Sequence, residues 1–127
     1  MGLETAASYR RWYKNISGSR TFTNTGDDAT LVAAPSDSKE SIFIQRIIVY
    51  ITTDAATTLV FSDSSATVKL GEVTTSPGDE TRWDFDYGDE GVPLTVAESF
   101  IVNHGATGLA GTIKWYGYKR RTAVGAP

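Results

Sequence analysis

Apolar residues in this chain come in short runs that favour every second position. Trp83 and Phe85 alternate with Asp84 and Asp86, and Val68 and Leu70 alternate with Thr67 and Lys69, so each stretch has one apolar and one wet face. The same period predicts strands near residues 20–24, 30–34, 41–53, 58–62, 67–74, 81–86, 94–96, 99–103 and 112–119. Their links, such as 35–38, 63–65, 76–79, 87–91 and 105–111, hold the Gly, Pro, Ser and Asp that turns require. No helical period separates these runs. Eight or nine short strands of this kind predict an all-β fold, an antiparallel β-sandwich that is jelly-roll-like, with an extended or partly helical N-terminal arm. The expected organisation is an arm over 1–19, a single sandwich domain over 20–121 and a flexible C-terminal tail over 122–127.

The run 41–53 breaks the alternation. Strict period 2 puts Ile42, Ile44, Ile48 and Tyr50 on one face and Phe43, Ile47, Val49 and Ile51 on the other, interrupted only by Gln45 and Arg46. Both faces are then apolar. Either the strand is central and covered on both sides within the monomer, with a bulge at Gln45 and Arg46, or a neighbouring subunit closes one face. The second explanation predicts a homo-oligomer with Ile42, Ile44, Arg46, Ile48, Tyr50, Tyr116 and Tyr118 at the subunit interface.

Composition reinforces the strand reading. The chain has 17 Thr, 9 Val and 8 Ile against 6 Leu and 6 Glu, an excess of β-branched side chains that suits a pleated surface. At 127 residues and 40% hydrophobic it is expected to form one domain, burying roughly two-thirds of its unfolded surface without staples. The absence of cysteine excludes disulfides, thiolate zinc sites and iron–sulfur clusters. No run of signal-peptide length opens the chain and none approaches the ~18 residues of a membrane helix, so a protein kept in aqueous solution is expected.

The net charge of -3 hides a segregation. Residues 1–20 set Arg10, Arg11, Lys14 and Arg20 against Glu4, and residues 112–127 carry Lys114, Lys119, Arg120 and Arg121 with no acid. The stretch between them holds 14 acidic residues against Lys39, Arg46, Lys69 and Arg82. Basic ends beside an acidic body suit docking on an acidic partner or on another copy. Arg10, Arg11, Trp12, Tyr13 and Lys14 concentrate cations and aromatics, the combination enriched at protein interfaces. They could also stack on bases, but a pI near 5.0 and the lack of a recognised module weigh against nucleic acid.

Candidate chemistry is sparse. His104, the sole histidine, stands at a strand end before a Gly-rich loop, and no nucleophile elbow, phosphate loop or dinucleotide fingerprint occurs. The acidic run 84–91 matches a calcium loop only at its first and third positions; Gly88 occupies the fifth and Thr95 the twelfth. Trp83, Trp115, Tyr116 and Tyr118 could make a sugar-stacking platform, though Trp115 alternates with Ile113 and so belongs to a core. No catalytic residue, metal or cofactor is expected.

The order of features, a basic aromatic arm, the long apolar strand SIFIQRIIVYITT at 41–53, TLVFS at 58–62, GVPLTV at 91–96 and the closing strand LAGTIKWYGY at 109–118, resembles that of small β-sandwich virion proteins of tailed bacteriophages, most of all head decoration (cement) proteins. The likeness spans about residues 28–119. It implies a non-enzymatic protein, made in the host cytoplasm, that assembles as a homo-oligomer, a trimer, on the capsid exterior and binds the major capsid protein. The arm residues 10–14 would then grip the capsid, with Lys119, Arg120 and Arg121 as the competing docking element. A carbohydrate-binding or host-recognition module of a phage particle is the alternative.

Overall fold

The alternation is realised, among the described residues, as nine strands: β1 (Lys14–Thr23), β2 (Ala29–Val32), β3 (Glu40–Ile51), β4 (Thr57–Asp63), β5 (Lys69–Thr75), β6 (Arg82–Asp86), β7 (Val92–Pro93), β8 (Phe100–His104) and β9 (Ala110–Arg121). The structure, a computed structural model, describes residues 14–23, 29–51, 57–75, 82–104 and 110–121. Strands pair antiparallel in two sheets, one ordered β1-β9-β3-β6 with β7 also on β3, the other ordered β2-β8-β4-β5. The pairs nest: β4 with β5, β3 with β6, β2 with β8, β1 with β9. Each successive pair falls in the opposite sheet, so the chain is one long hairpin wound into a jelly roll, to which the short β7 is added.

Most strands lie within a few residues of their expected positions. β1 is the exception, beginning at Lys14 where the sequence predicts an arm up to residue 19. Asn15, Ser17, Gly18 and Ser19 give no apolar alternation, yet the segment pairs with β9 over ten residues without a register shift. Tertiary pairing overrides weak local preference here. Residues 94–96 are not a strand; Leu94 turns into the core instead, and β7 pairs Val92 and Pro93 with Ile44 and Phe43.

The double apolar face of β3 is resolved by a bulge. On β9, Gly117 and Tyr116 are consecutive, but they pair with Ile44 and Arg46, leaving Gln45 as the extra residue. Alternation restarts one step out of phase. Ile42, Ile44, Ile47, Val49 and Ile51 therefore all point inward and are buried, while Phe43, Arg46, Ile48 and Tyr50 face outward. The inward set packs with Ile113 and Trp115 against Leu59, Phe61, Val73, Phe100 and Val102 of the other sheet. Phe100 meets Trp115 edge-on, with ring centroids 6.3 Å apart.

The bulge also divides the edge strand beside β3. Tyr87 N–H donates to the Gln45 carbonyl at 2.8 Å, and Gln45 Nε2 donates to the Asp89 carbonyl at 2.6 Å, so the connector between β6 and β7 is clamped where the ladder is interrupted. Gly91 adopts φ +72° there, with its missing Cβ 2.8 Å from the Ile44 carbonyl, a place only glycine fills without strain.

Candidate assembly face

The outward side of the β1-β9-β3-β6 sheet collects most of the residues singled out in the sequence. Register aligns them in rows across the strands. Asn15, Tyr118, Phe43 and Pro93 form one; Ser17, Tyr116, Arg46 and Asp86 the next. Ser19, Lys114, Ile48 and Asp84 follow, then Thr21, Thr112, Tyr50 and Arg82. Directly opposed residues in an antiparallel sheet share a face, so this surface carries Tyr50, Tyr116, Tyr118, Arg46, Arg82 and Arg120. Among the described residues, the outward rows of the other sheet, with Thr58, Val60, Glu72, Thr74, Ile101 and Asn103, hold neither tyrosine nor arginine.

The apolar members of the face are closed by their own neighbours. The Phe43 ring stacks on Tyr118 at 4.8 Å between centroids, and the Arg120 guanidinium lies over Phe43 at 4.7 Å from the ring centroid. Tyr118 Oη donates to the Glu90 carbonyl at 2.6 Å. Phe43 and Ile48 are each only 7% exposed. Of the two explanations for the doubly apolar strand, the bulge with cover inside the monomer is the one the chain adopts. Ile42 and Ile44, expected at a subunit interface, are fully buried between the sheets and leave the candidate face. Tyr116 and Tyr50 are the large apolar side chains that stand out of it.

Charge is fixed rather than loose across the centre. Arg46 Nε donates to Asp84 Oδ1 at 2.9 Å and Arg82 Nη2 to Asp84 Oδ2 at 3.3 Å, while Arg82 Nε donates to Tyr50 Oη at 3.2 Å. The hydrogen bond from Arg46 holds the Asp84 carboxyl below the usual range, and the same bond raises Arg46. An open depression of about 580 Å³ lies instead beside the Phe43, Tyr118 and Arg120 stack, lined also by Asn15, Gln45, Asp89 and Glu90.

The remaining sequence candidates separate. Arg10, Arg11, Trp12 and Tyr13 lie outside the described residues. Lys14 is in β1, with Nζ 3.2 Å from Glu40 Oε2 of β3, so it belongs to the sheet and not to an arm. Trp83 points inward and Trp115 is in the core, on the face opposite Tyr116, so the four aromatics make no platform for a sugar. In the acidic run, Asp84 is committed to arginines and Asp86 Oδ1 accepts from Gly88 N–H at 2.9 Å. Among the described residues no three His, Asp or Glu side chains come close enough to hold a metal ion.

Asp63 is a structural residue that the sequence does not single out. Fully buried at the end of β4, it accepts from Ser65 Oγ at 2.7 Å, from Thr67 N–H at 3.1 Å and from Thr95 N–H at 2.9 Å. Burial favours the neutral acid, but the converging donors from Thr95, Ser65 and Val68 outweigh it and lower the pKa to about 2. Ser64 Oγ donates to Glu98 Oε2, completing a latch between the β4–β5 turn and the loop before β8. An aspartate at a strand end followed by serines reads as a turn, and nothing local reveals its distant partner Thr95.

No family model and no curated protein matches the chain. Among solved structures, it is similar to a chain of the acid-stable capsid of Helicobacter pylori bacteriophage KHP30, with TM-score 0.59 and 10% identity over 83% of this chain and 87% of that one. Weaker likenesses join it to a protein of Bacillus endospore appendages, with TM-score 0.46 and 12% identity over 87% and 88% of the two chains. A virus-like particle of the extra small virus of the prawn Macrobrachium rosenbergii contributes another, with TM-score 0.45 and 9% identity over 84% and 79%. At these identities the KHP30 match establishes the shared architecture, and the chain is an all-β jelly roll of the kind found in that capsid.

Proposed function

We propose that this chain is a non-enzymatic structural protein of a phage particle, a decoration or cement protein that oligomerises on the head exterior and ties neighbouring capsid subunits together. The observation that carries the reading is the wound-hairpin topology together with its match, nearly end to end in both chains, to a component of a phage capsid. The tyrosine- and arginine-bearing face is the contact surface on this reading, because those residues supply large area and paired hydrogen bonds at interfaces. Residues 10–13 act as the capsid-gripping arm and the major capsid protein is the partner. Trimers are the expected assembly on the head. Weak single contacts suffice, since a shell repeats them many times.

The test is a cryo-EM map of intact particles carrying the chain, combined with Tyr116→Glu. Density for this jelly roll outside the shell, and its loss in the variant, is the expected result. A particle free of the protein, or a variant of undiminished occupancy, overturns the assignment.

A further inference from the structure

Among the described residues, the β1-β9-β3-β6 sheet ends on an open edge. β1 runs ten residues with neither bulge nor proline, and among the described residues it pairs only with β9, so half of its backbone donors and acceptors face outward without a strand. The other edges are shorter or interrupted. β2 has four residues and a register shift, β6 and β7 are two pieces separated by a clamped connector, and β5 has seven residues and a register shift against β4. A long regular edge is a template for another strand.

We propose that the β1 edge pairs antiparallel with β1 of a second copy, fusing two sandwiches through one continuous sheet about a twofold axis. The occupant follows from self-complementarity, because a twofold gives every outward backbone group its counterpart from an identical segment. Keeping both cores on the same side requires residues of equal parity to oppose one another. Centring the axis on Gly18 sets Ser17 against Ser19, Asn15 against Thr21 and Ile16 against Arg20. The two Arg20 side chains then stand about four residues apart along the strands, ~13 Å, beyond the screening length at physiological salt. Centring on Ser19 instead brings the two arginines within about two residues of each other, where they repel. Gly18 also lies against Trp115, which forbids a side chain at the axis. This pairing does not depend on the phage assignment and can hold or fail separately from it.

The absence of cysteine makes the register directly readable. Ser17→Cys and Ser19→Cys, both at exposed positions, are prepared as separate full-length proteins, checked for unchanged melting, and oxidised alone and as an equimolar mixture. In the proposed register, position 17 of one copy faces position 19 of the other with Cα atoms about 5 Å apart, within disulfide reach. Either position lies ~8 Å from its own counterpart in the second copy, beyond that reach. The mixture is expected to give at least roughly ten times more covalent dimer than either variant alone, and sedimentation of the unmodified chain is expected to show dimers. Equal cross-linking in all three samples, or none in the mixture, overturns the pairing, as does an unmodified chain that sediments as a monomer at about 100 µM.

Discussion

Asp63 shows how one side chain can hold the end of this sandwich together. Its carboxylate is buried, and it accepts backbone hydrogen bonds from the β4–β5 turn and from Thr95 across the loop before β8. Its pKa is lowered from an ordinary 3.8 to about 2, so the folded state favours the charged form. The stabilisation is present above about pH 4 and is lost as pH falls towards 2, where the folded carboxyl takes up its proton; the gap corresponds to about 2 kcal/mol. Asp63→Asn is expected to cost about 1 to 3 kcal/mol at pH 7, roughly the loss of a buried acceptor that leaves the Thr95 donor facing an amide. The variant should also lose less stability than the parent between about pH 4 and 2. Denaturant unfolding at stepped pH reads both effects, and parallel acid slopes for the two proteins would contradict the latch. Two nearby alanines, Ala66 and Ala97, sit at φ 60° and 63°, and the same cross-linked loops hold them in that unfavourable region.

At the scale of elements, the strand positions were legible because burial writes period 2 into the sequence, and the core aromatics Phe61, Phe85, Phe100 and Trp115 follow it. The face of each β3 residue was not. Gln45 shifts the phase, so a strict count puts Ile47, Val49 and Ile51 on the side opposite Ile42 and Ile44, whereas all five are inward. The polar pair Gln45 and Arg46 was the only local sign of the interruption. β1 is not legible as far as residue 19 because its inward positions include Gly18, which makes room for the Trp115 ring and adds no apolar signal. The bulge makes a discriminating prediction. Removing Gln45 leaves Ile44 and Arg46 opposite Gly117 and Tyr116 in regular register, so the deletion should fold and cost roughly 1 to 3 kcal/mol, the worth of its two hydrogen bonds. Removing Ile47 instead turns Ile48 and Tyr50 inward and Val49 outward, and should abolish cooperative unfolding. Circular dichroism melts of the two deletions separate the cases; equal tolerance would show that register here is not fixed by the core. Gly117→Ala belongs with them, because its Cβ would run into the Phe43 carbonyl, and a loss of about 2 kcal/mol or more is expected in the same assay.

For the whole molecule, the boundary between arm and sandwich decides what an attachment experiment can mean. The arm expected over 1–19 contributes its last six residues, from Lys14 to Ser19, to β1, where Lys14 pairs with Glu40, Ile16 packs against the core and Gly18 covers Trp115. Truncating at residue 19 therefore removes six of the ten residues of an edge strand along with the arm, and any loss of binding is confounded with unfolding. Truncating at residue 13 removes Arg10, Arg11, Trp12 and Tyr13 while leaving every pairing of β1 with β9 in place. The shorter truncation is expected to keep the melting temperature within about 2 °C of the parent, because β1 keeps its full pairing with β9. The longer one should lower it by roughly 10 °C, since the lost cover of Ile16 and Trp115 amounts to a few kcal/mol in a domain of this size. On the decoration reading both lose attachment to capsids, and the 13-residue truncation is the informative one. Full occupancy by that folded, shortened chain would remove the N-terminal cations and aromatics from docking and leave it to the face carrying Tyr116, Arg46 and Arg120 alone, where the charged and aromatic groups are already held in place by the sheet.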